Sequence, residues 1–399
     1  MKILMLPTQG SGVGDYRHWT PAKALAKRGH DVWWDDTKNV FTSLGEGLDQ
    51  FLMEGAVKYD VFHIGFTTHL GLLEKLVAVR NYATVVLKKQ LPLITDCDDD
   101  LLHVPAYNTG FKAYTGSAES RKIALMHIRV SDTVTVTTPA LGSVWANYNN
   151  HVAVLPNCID PSDWDRLAKD PRPRDSGDVR IMFAGNVGRK DDLDMIQGAI
   201  ESVMRQRPNV RLFFMGMMPD WASQWLLSPT DPLANRVFFM QGAELKVYRD
   251  TISYVAPDIM LAPAVTNEFN ASKSSIKVID AALIGAATVC SDWETYAEVP
   301  GEATLKCDTT YEWTESLLAL IDDPTLRAKK VATCLQWVLD CKSIDTNIHL
   351  WENVYEEALA RPVISNDGAG IKETLITLPS ARETQAIANS ISIGRTSQT

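Results

Sequence analysis

Lys273 and Lys277 lie one helical turn apart, after an apolar strand and a polar loop. The pattern predicts a helix that begins at Lys273 or Ser274 and ends at Gly285. Loops that lead into helices at the carboxyl edge of a parallel sheet bind phosphates, because backbone N–H groups and the helix dipole point at the ligand. The two ammonium groups would add positive charge on one helix face. The alternative is a solvated lysine pair on an amphipathic helix.

Arg189 and Lys190 form a second basic pair, on a loop between an apolar strand that ends at Gly185 and a following helix. The loop before Lys273 likewise leads from an apolar strand into a helix. Arg189 and Lys190 are therefore candidates for the second half of an anion-binding clamp. Fixed cations on a loop that leads into a helix can hold a phosphate group. The alternative is that both residues are solvated loop charges.

Four aspartates follow another buried strand, at Asp96, Asp98, Asp99 and Asp100. The run contains D-x-D twice, a pattern that can hold a divalent metal. We nevertheless predict no metal site at this run. A helix N-cap with acids in the first turn explains Asp99 or Asp100 equally simply.

The N-terminal stretch has the outline of a dinucleotide-binding unit, with a glycine-rich turn, a helix and a strand that ends near Asp35. The glycines do not fit the G-x-G-x-x-G fingerprint. The sixth position is Asp15 when counted from Gly10 and Arg17 when counted from Gly12. The third glycine permits close helix packing, and an acid in its place would repel pyrophosphate. We therefore predict a tight turn near a ligand and disfavour an NAD-dependent oxidoreductase.

Alternating strands and helices must position these residues, and the hydrophobic pattern predicts such alternation along the chain. The predicted strands are KILMLP, HDVWW, DVFHIGF, LPLITD, TVTVTT, VAVLPN, VRIMFAG, VRLFFMG, RVFFMQG, DIMLAP, ATVCSD and ATLKC. We predict an α/β fold with two Rossmann-like domains whose parallel sheets face an interdomain cleft. The predicted parts are a first domain over 1–160, a linker over 161–178, a second domain over 179–345, a terminal helix over 346–361 and a polar tail over 362–399.

Composition narrows the class of protein further. The 399 residues suffice for two domains, and no apolar run approaches the ~20 residues that span a bilayer. The net charge of −10 disfavours nucleic acid and anionic membranes as partners. Six cysteines without a C-x-x-C pair argue against zinc and for reduced thiols in a cytoplasmic protein.

The stretch from Asp258 to Asp292 resembles the nucleotide-sugar site of retaining GT-B glycosyltransferases related to family 4 (group 1), in the subset with an FN..KS.IK signature. The matching positions are Asp258, Ile259, Leu261, Ala262, Pro263, Phe269, Asn270, Lys273, Ser274, Ile276, Lys277, Gly285, Val289 and Ser291. The motifs GVGDYR, VAVLPNCID and HLWENVYEEAL are similar to other parts of that family. The resemblance covers roughly residues 1 to 360.

The resemblance implies a donor-binding role for the second domain. Many family members carry Glu-x7-Glu here; this chain has Ser272 at the first place and Asp280 at the second, where a carboxylate can still accept from ribose hydroxyls. Arg189, Lys190 and Lys273 would stabilise the departing diphosphate. The other implied donor-binding residues are Gly185, Asn270, Ser274 and Lys277, with Lys246 and Tyr248 near the nucleotide base.

The resemblance implies an acceptor role for the first domain. Gly12, Gly14 and Arg17 of the glycine-rich turn and Asp96 would lie on the acceptor side. Asp98 would act in catalysis, by orienting the acceptor hydroxyl or stabilising charge at the anomeric carbon.

The expected activity is transfer of a sugar from a UDP- or GDP-sugar to a hydroxyl with retention of configuration, without cofactor or metal. The sequence leaves the acceptor open among a glycan, a protein, a small molecule and a modified DNA base. The alternatives are a GT-B epimerase or hydrolase of nucleotide sugars, an NAD-dependent oxidoreductase, and a non-catalytic protein that binds glycans or nucleotide sugars. The basic residues Arg189, Lys190 and Lys273 disfavour the last, because a pure glycan binder needs no diphosphate clamp.

Overall fold

The computed structural model describes residues 1–8, 11–34, 47–108, 110–164, 175, 177–228 and 230–362. These residues form two compact units. Unit 1 consists of Met1–Leu102, Ser117–Cys158 and the described residues from Asn347 on, and unit 2 consists of His103–Gly116 and Ile159–Thr346. The sequence placed 103–116 in the first domain, whereas the structure places this segment in unit 2. The predicted linker lies mostly, and the tail after residue 362 wholly, outside the described residues.

The strands of unit 1 form a six-stranded parallel sheet in the order β2-β1-β3-β4-β5-β6. They are β1 (Lys2–Leu6), β2 (Asp31–Trp33), β3 (Val61–Gly65), β4 (Leu93–Cys97), β5 (Thr133–Val136) and β6 (Val152–Val154). The helices of this unit are α1 (Ser11–Gly14), α2 (Thr20–Lys27), α3 (Leu48–Lys58), α4 (Leu70–Val85), α5 (Ala118–Val130), α6 (Pro139–Trp145) and α16 (His349–Ala360). Every residue of β3, β4 and β5 is buried, because helices cover both faces of a parallel sheet.

The strands of unit 2 form a second six-stranded parallel sheet, in the order β12-β11-β10-β7-β8-β9. They are β7 (Val179–Ala184), β8 (Val210–Met215), β9 (Val237–Met240), β10 (Ile259–Ala262), β11 (Ala287–Ser291) and β12 (Leu305–Cys307). The helices are α7 (Lys190–Asp194), α8 (Gln197–Gln206), α9 (Asp220–Leu227), α10 (Leu245–Val255), α11 (Glu268–Ala271), α12 (Ile276–Leu283), α13 (Thr310–Asp322), α14 (Pro324–Lys342) and α15 (Ile344–Asn347). All twelve predicted strands are therefore confirmed, as is the α/β class.

The strand order of unit 2 sets where a ligand can bind. The chain runs from β7 outward through β8 to β9, and then returns to β10 on the other side of β7. The loops after β7 and β10 therefore leave the sheet side by side but turn in opposite directions. In open α/β sheets the crevice at such a switch point, at the carboxyl ends of the strands, is where ligands bind.

Three local expectations were wrong. The helix predicted from Lys273 or Ser274 begins at Ile276, because residues 272–275 continue the turn after α11. The glycine-rich turn is helical where it is described: Gly12 and Gly14 lie in α1, which passes into the π-helical segment Asp15–Trp19. No helix follows Asp99 and Asp100 within the described residues 98–108; instead the Asp100 carboxylate accepts the Leu102 N–H in a turn (3.1 Å).

Candidate functional site

Arg189 lies at the switch point of unit 2, at the end of a short 3-10 turn after β7. Its Nη1 donates to Asp192 Oδ2 and to Asn270 Oδ1, each at 3.0 Å. Asn270 Nδ2 in turn donates to Asp192 Oδ1 at 3.0 Å and to the Val265 carbonyl at 2.9 Å. Asp192 and Asn270 are buried, so this network ties the loop after β7 to the loop after β10 and fixes the guanidinium in space.

Lys277 brings a second positive charge to the same place. Its ammonium donates to the Ala184 carbonyl at the end of β7 and lies 4.7 Å from the centre of the Phe183 ring. Burial first, and then the positive charges of Arg189 and Lys273, lower the pKa of Lys277 to about 8, although Asp192 and Asp280 act in the opposite direction. A depressed lysine pKa beside two other cations marks a site where an anion would be stabilised.

Lys273 completes the cationic cluster, which we define as Arg189, Lys273 and Lys277. The Lys273 ammonium lies 4.2 Å from the centre of the Phe269 ring, in the turn before α12. Ser275 is the N-cap residue of α12, but its hydroxyl donates to Glu298 (2.5 Å) and does not cap the helix. The helix N-terminus therefore adds positive potential on the side of the two lysines.

Lys190, the other member of the predicted Arg189–Lys190 clamp, lies outside the cationic cluster in this structure. It is the first residue of α7, and its ammonium pairs with Asp194 one turn later on the same helix. Asp220 lies 3.9 Å away, and the Lys190 side chain is 45% exposed. The hydrogen bond to Asp194 raises the pKa of Lys190, in contrast to the lowered pKa of Lys277. Lys277 is instead the lysine whose charge interacts with those of Arg189 and Lys273.

Three glycines beside the cationic cluster form a surface without side chains, which we call the glycine floor. Gly185, Gly216 and Gly242 follow β7, β8 and β9, and a Cβ on Gly216 would lie 2.5 Å from the Gly185 carbonyl oxygen. Gly216 has φ +81°, which also favours glycine. A Cβ on Gly185 would approach Lys277 Nζ to 3.2 Å. The carboxyl ends of three adjacent strands are thus bare backbone. The sequence carries the signal, a glycine soon after each of three apolar strands, but only Gly185 was singled out.

The other predicted donor residues surround the cluster. The Tyr248 hydroxyl donates to the Asp280 carboxylate at 3.0 Å, and this carboxylate is buried. Ser272 is buried and Ser274 is partly buried in the turn before α12. The side chain of Lys246 lies outside the described residues. Tyr248 was predicted near the nucleotide base, but it holds the carboxylate that was predicted to bind the ribose.

In unit 1, Arg17 and Asp96 form an enclosed ion pair. Arg17 Nε and Nη2 donate to the two Asp96 oxygens at 2.9 and 2.6 Å, and both side chains are about 1% exposed. Thr135 also donates to Asp96 (2.6 Å). Burial alone would raise the pKa of Asp96, but the Arg17 guanidinium lowers it to about 2. The two were predicted as acceptor-side groups; the structure instead shows them bonded to each other below the surface.

Two buried histidines pack around this ion pair. His63 Nδ1 lies 2.7 Å from the Tyr355 hydroxyl of α16, and the His18 and His63 rings are 5.5 Å apart. Burial lowers the pKa of His18 to about 4 and that of His63 to about 3, so both are neutral at pH 7. Of the predicted acceptor-side residues, Gly12 has open space where a Cβ would stand, and Asp98 is only partly buried.

Over the described residues, no group of three or more histidine, cysteine and acidic side chains is arranged to hold a metal ion. Within the same residues, no helix is long and apolar enough to cross a bilayer.

The sequence matches no protein-family model and no curated protein. Similar solved structures include the catalytic domain of starch synthase IV from Arabidopsis thaliana bound to ADP and acarbose (12% identity, TM-score 0.63, 90% of this chain and 100% of that chain). Another is an alpha-glucosyltransferase in complex with UDP-glucose and DNA containing an abasic site (9%, 0.60, 89% and 99%). A point mutant of S. aureus TarM, in complex with UDP, is a third (12%, 0.53, 74% of this chain).

This chain spans about half of the TarM chain (55%) and nearly all of the other two. At these identities the likeness concerns the fold. The two six-stranded parallel sheets and these structural neighbours together show that the chain has the GT-B glycosyltransferase fold.

Proposed function

We propose that this protein is a glycosyltransferase that uses a nucleoside-diphosphate sugar. The observation that carries the proposal is the cationic cluster at the switch point of unit 2, where three like charges meet beside a bare glycine floor. Two lysines lie beside the Arg189–Asp192 ion pair, so a bound anion would gain the attraction of several positive charges at once. A diphosphate would supply that anion, and the neighbours bound to UDP, UDP-glucose or ADP support this choice of ligand.

The proposed arrangement of the donor follows from the positions of the side chains. The diphosphate contacts Arg189, Lys273 and Lys277, with the helix N-terminus of α12 behind it. The nucleoside lies along the glycine floor, and Asp280, held by Tyr248, accepts from the ribose hydroxyls. The donor is a UDP- or GDP-sugar, and the family-4-like subset with the FN..KS.IK signature is the proposed relation.

The proposed reaction breaks the bond between the anomeric carbon and the diphosphate oxygen and forms a bond from that carbon to the acceptor oxygen. The acceptor hydroxyl attacks on the face that the diphosphate leaves, so the configuration is retained, and its proton passes to a phosphate oxygen. The cationic cluster stabilises the negative charge of the leaving group, which is the part a metal ion plays elsewhere. Asp98 orients the acceptor hydroxyl.

The experiment that tests the proposal is a binding panel with matched lysine variants. Isothermal titration of UDP, GDP and ADP should show one of them binding in the micromolar range. Lys273→Ala should weaken it by roughly tenfold to a hundredfold, because a charge-assisted hydrogen bond contributes about 1.5–3 kcal/mol. Lys190→Ala, which removes a lysine of unit 2 that lies outside the cluster, should bind normally. Equal losses in the two variants, or no nucleotide binding, would reject the proposal.

A further inference from the structure

Residues His103–Gly116 form a compact segment of unit 2, although they follow β4 of unit 1 in the chain. The Val104 N–H donates to Thr115 Oγ1 (2.8 Å), and the Gly116 N–H donates to the Phe111 carbonyl (2.7 Å). These bonds close the segment on itself.

The segment touches both loops that hold the cationic cluster. The Tyr107 hydroxyl accepts from Asn267 Nδ2 at 3.0 Å, and His103 Nε2 lies 3.3 Å from a carboxylate oxygen of Glu268, both on the loop after β10. Asn108 packs on the loop after β7, so closely that a Cβ on Gly188 would lie 2.8 Å from Asn108 Nδ2. This segment therefore contacts both the loop after β7 and the loop after β10, on either side of the switch point.

An unbroken series of hydrogen bonds leads from Tyr107 to Arg189. Asn267 binds Tyr107 through its Nδ2, and through its Oδ1 it accepts the Asn270 N–H (2.8 Å) as the N-cap of α11. Asn270 Oδ1 then accepts from Arg189 (3.0 Å). Burial and the Asp192 carboxylate raise the pKa of the Tyr107 phenol, so it remains a neutral partner.

We propose that Tyr107 is a positioning residue of the donor site, which sets the place of the Arg189 guanidinium through Asn267 and Asn270. The inference rests on the proposed function and deepens it, because residues 103–116 then form a wall of the nucleoside-diphosphate site. Tyr107 itself touches no phosphate. Loss of its hydroxyl lets the Asn267 side chain turn, and the loop after β10 no longer holds Arg189 in one position.

A double-mutant cycle on UDP binding tests the proposal, with GDP or ADP as the probe if that nucleotide binds the wild type better. The variants are Tyr107→Phe, Asn267→Ser and the double variant. Serine keeps an oxygen that caps α11 but has no amide to donate to Tyr107. The control is Tyr311→Phe, a tyrosine of unit 2 that is 72% exposed at the start of α13.

Tyr107→Phe should weaken UDP binding about fivefold, the effect of one neutral hydrogen bond, with the unfolding midpoint unchanged. The double variant should bind like Asn267→Ser alone, because both remove the same bond. Tyr311→Phe should bind like the wild type. Normal binding by Tyr107→Phe, or losses that multiply in the double variant, would overturn the inference and leave the proposed function standing. Failure of the wild type to bind any of the three nucleotides would reject both.

Discussion

Lys277 should make nucleotide binding depend on pH in a way that no ordinary lysine would. Its pKa is lowered to about 8, by burial first and then by Arg189 and Lys273, while Asp192 and Asp280 act in the opposite direction. A bound diphosphate adds negative charge and raises this pKa again. At pH 8 about half of the protein carries a neutral Lys277, so binding should take up about half a proton.

The same pKa sets the size of the change in affinity. If only the protonated form binds the diphosphate, the apparent affinity should fall about tenfold between pH 7 and pH 9. The phosphates of UDP do not contribute to this change in affinity, because their last pKa is about 6. An unperturbed lysine, with a pKa of about 10.4, would leave the affinity almost flat over this range.

The assay is titration calorimetry of UDP, or of GDP or ADP if that binds better, at pH 8 in buffers with different heats of ionisation, which counts the protons taken up. Lys277→Arg is the matched variant, since its guanidinium stays charged throughout. The wild type should take up about half a proton when it binds the nucleotide, and this uptake should be absent in Lys277→Arg. The same uptake in both proteins, or none in the wild type, would refute the reasoning about Lys277.

Four further predictions concern other parts of the molecule. Asp96→Asn should leave Arg17 charged and unpaired in the interior, and should lower the free energy of unfolding by about 3–5 kcal/mol in urea denaturation; a loss below about 1 kcal/mol would show that the pair is not structural. Gly216→Ala should weaken UDP binding and lower the melting temperature, because its φ is +81° and the new Cβ would meet the Gly185 carbonyl; unchanged values would mean that the floor can shift. Asp98→Asn should slow sugar transfer, followed as nucleotide release with acceptor present, and should leave UDP affinity intact; a matching loss of affinity would put Asp98 on the donor side. Transfer should persist in EDTA, and a loss that Mn²⁺ restores would require a metal site.

The strands were predictable because each is a short apolar run between polar turns, a signal that a parallel sheet buried on both faces produces directly. The position of the site was predictable for a related reason. Arg189 follows β7, and Lys273 and Lys277 belong to the loop and helix that follow β10, so the strand order that brings β7 beside β10 also brings these residues together. For these three residues, the position in the sequence and the order of the strands point to the same edge of the sheet.

The remaining features depend on contacts between residues far apart in the chain. The Lys190–Asp194 pair is an i,i+4 contact that helix spacing could have predicted, whereas the bond from Lys277 to Ala184 spans 93 positions. The enclosed Arg17–Asp96 pair joins residues 79 positions apart. The bond from Asn267 to Tyr107 spans 160 positions and comes from a segment that the sequence places in the other domain. Periodicity and spacing describe neighbours along the chain and carry no information on such pairs.

The central claim is that the diphosphate of a nucleotide sugar binds to the cationic cluster of unit 2. A crystal structure of the protein with UDP, or with whichever nucleotide binds best, tests it most directly. The account predicts phosphate oxygens within hydrogen-bond distance of Arg189, Lys273 and Lys277, and the nucleoside over Gly185 and the glycines after β8 and β9. A nucleotide bound instead along the glycines of α1 in unit 1, away from these cations, would contradict it.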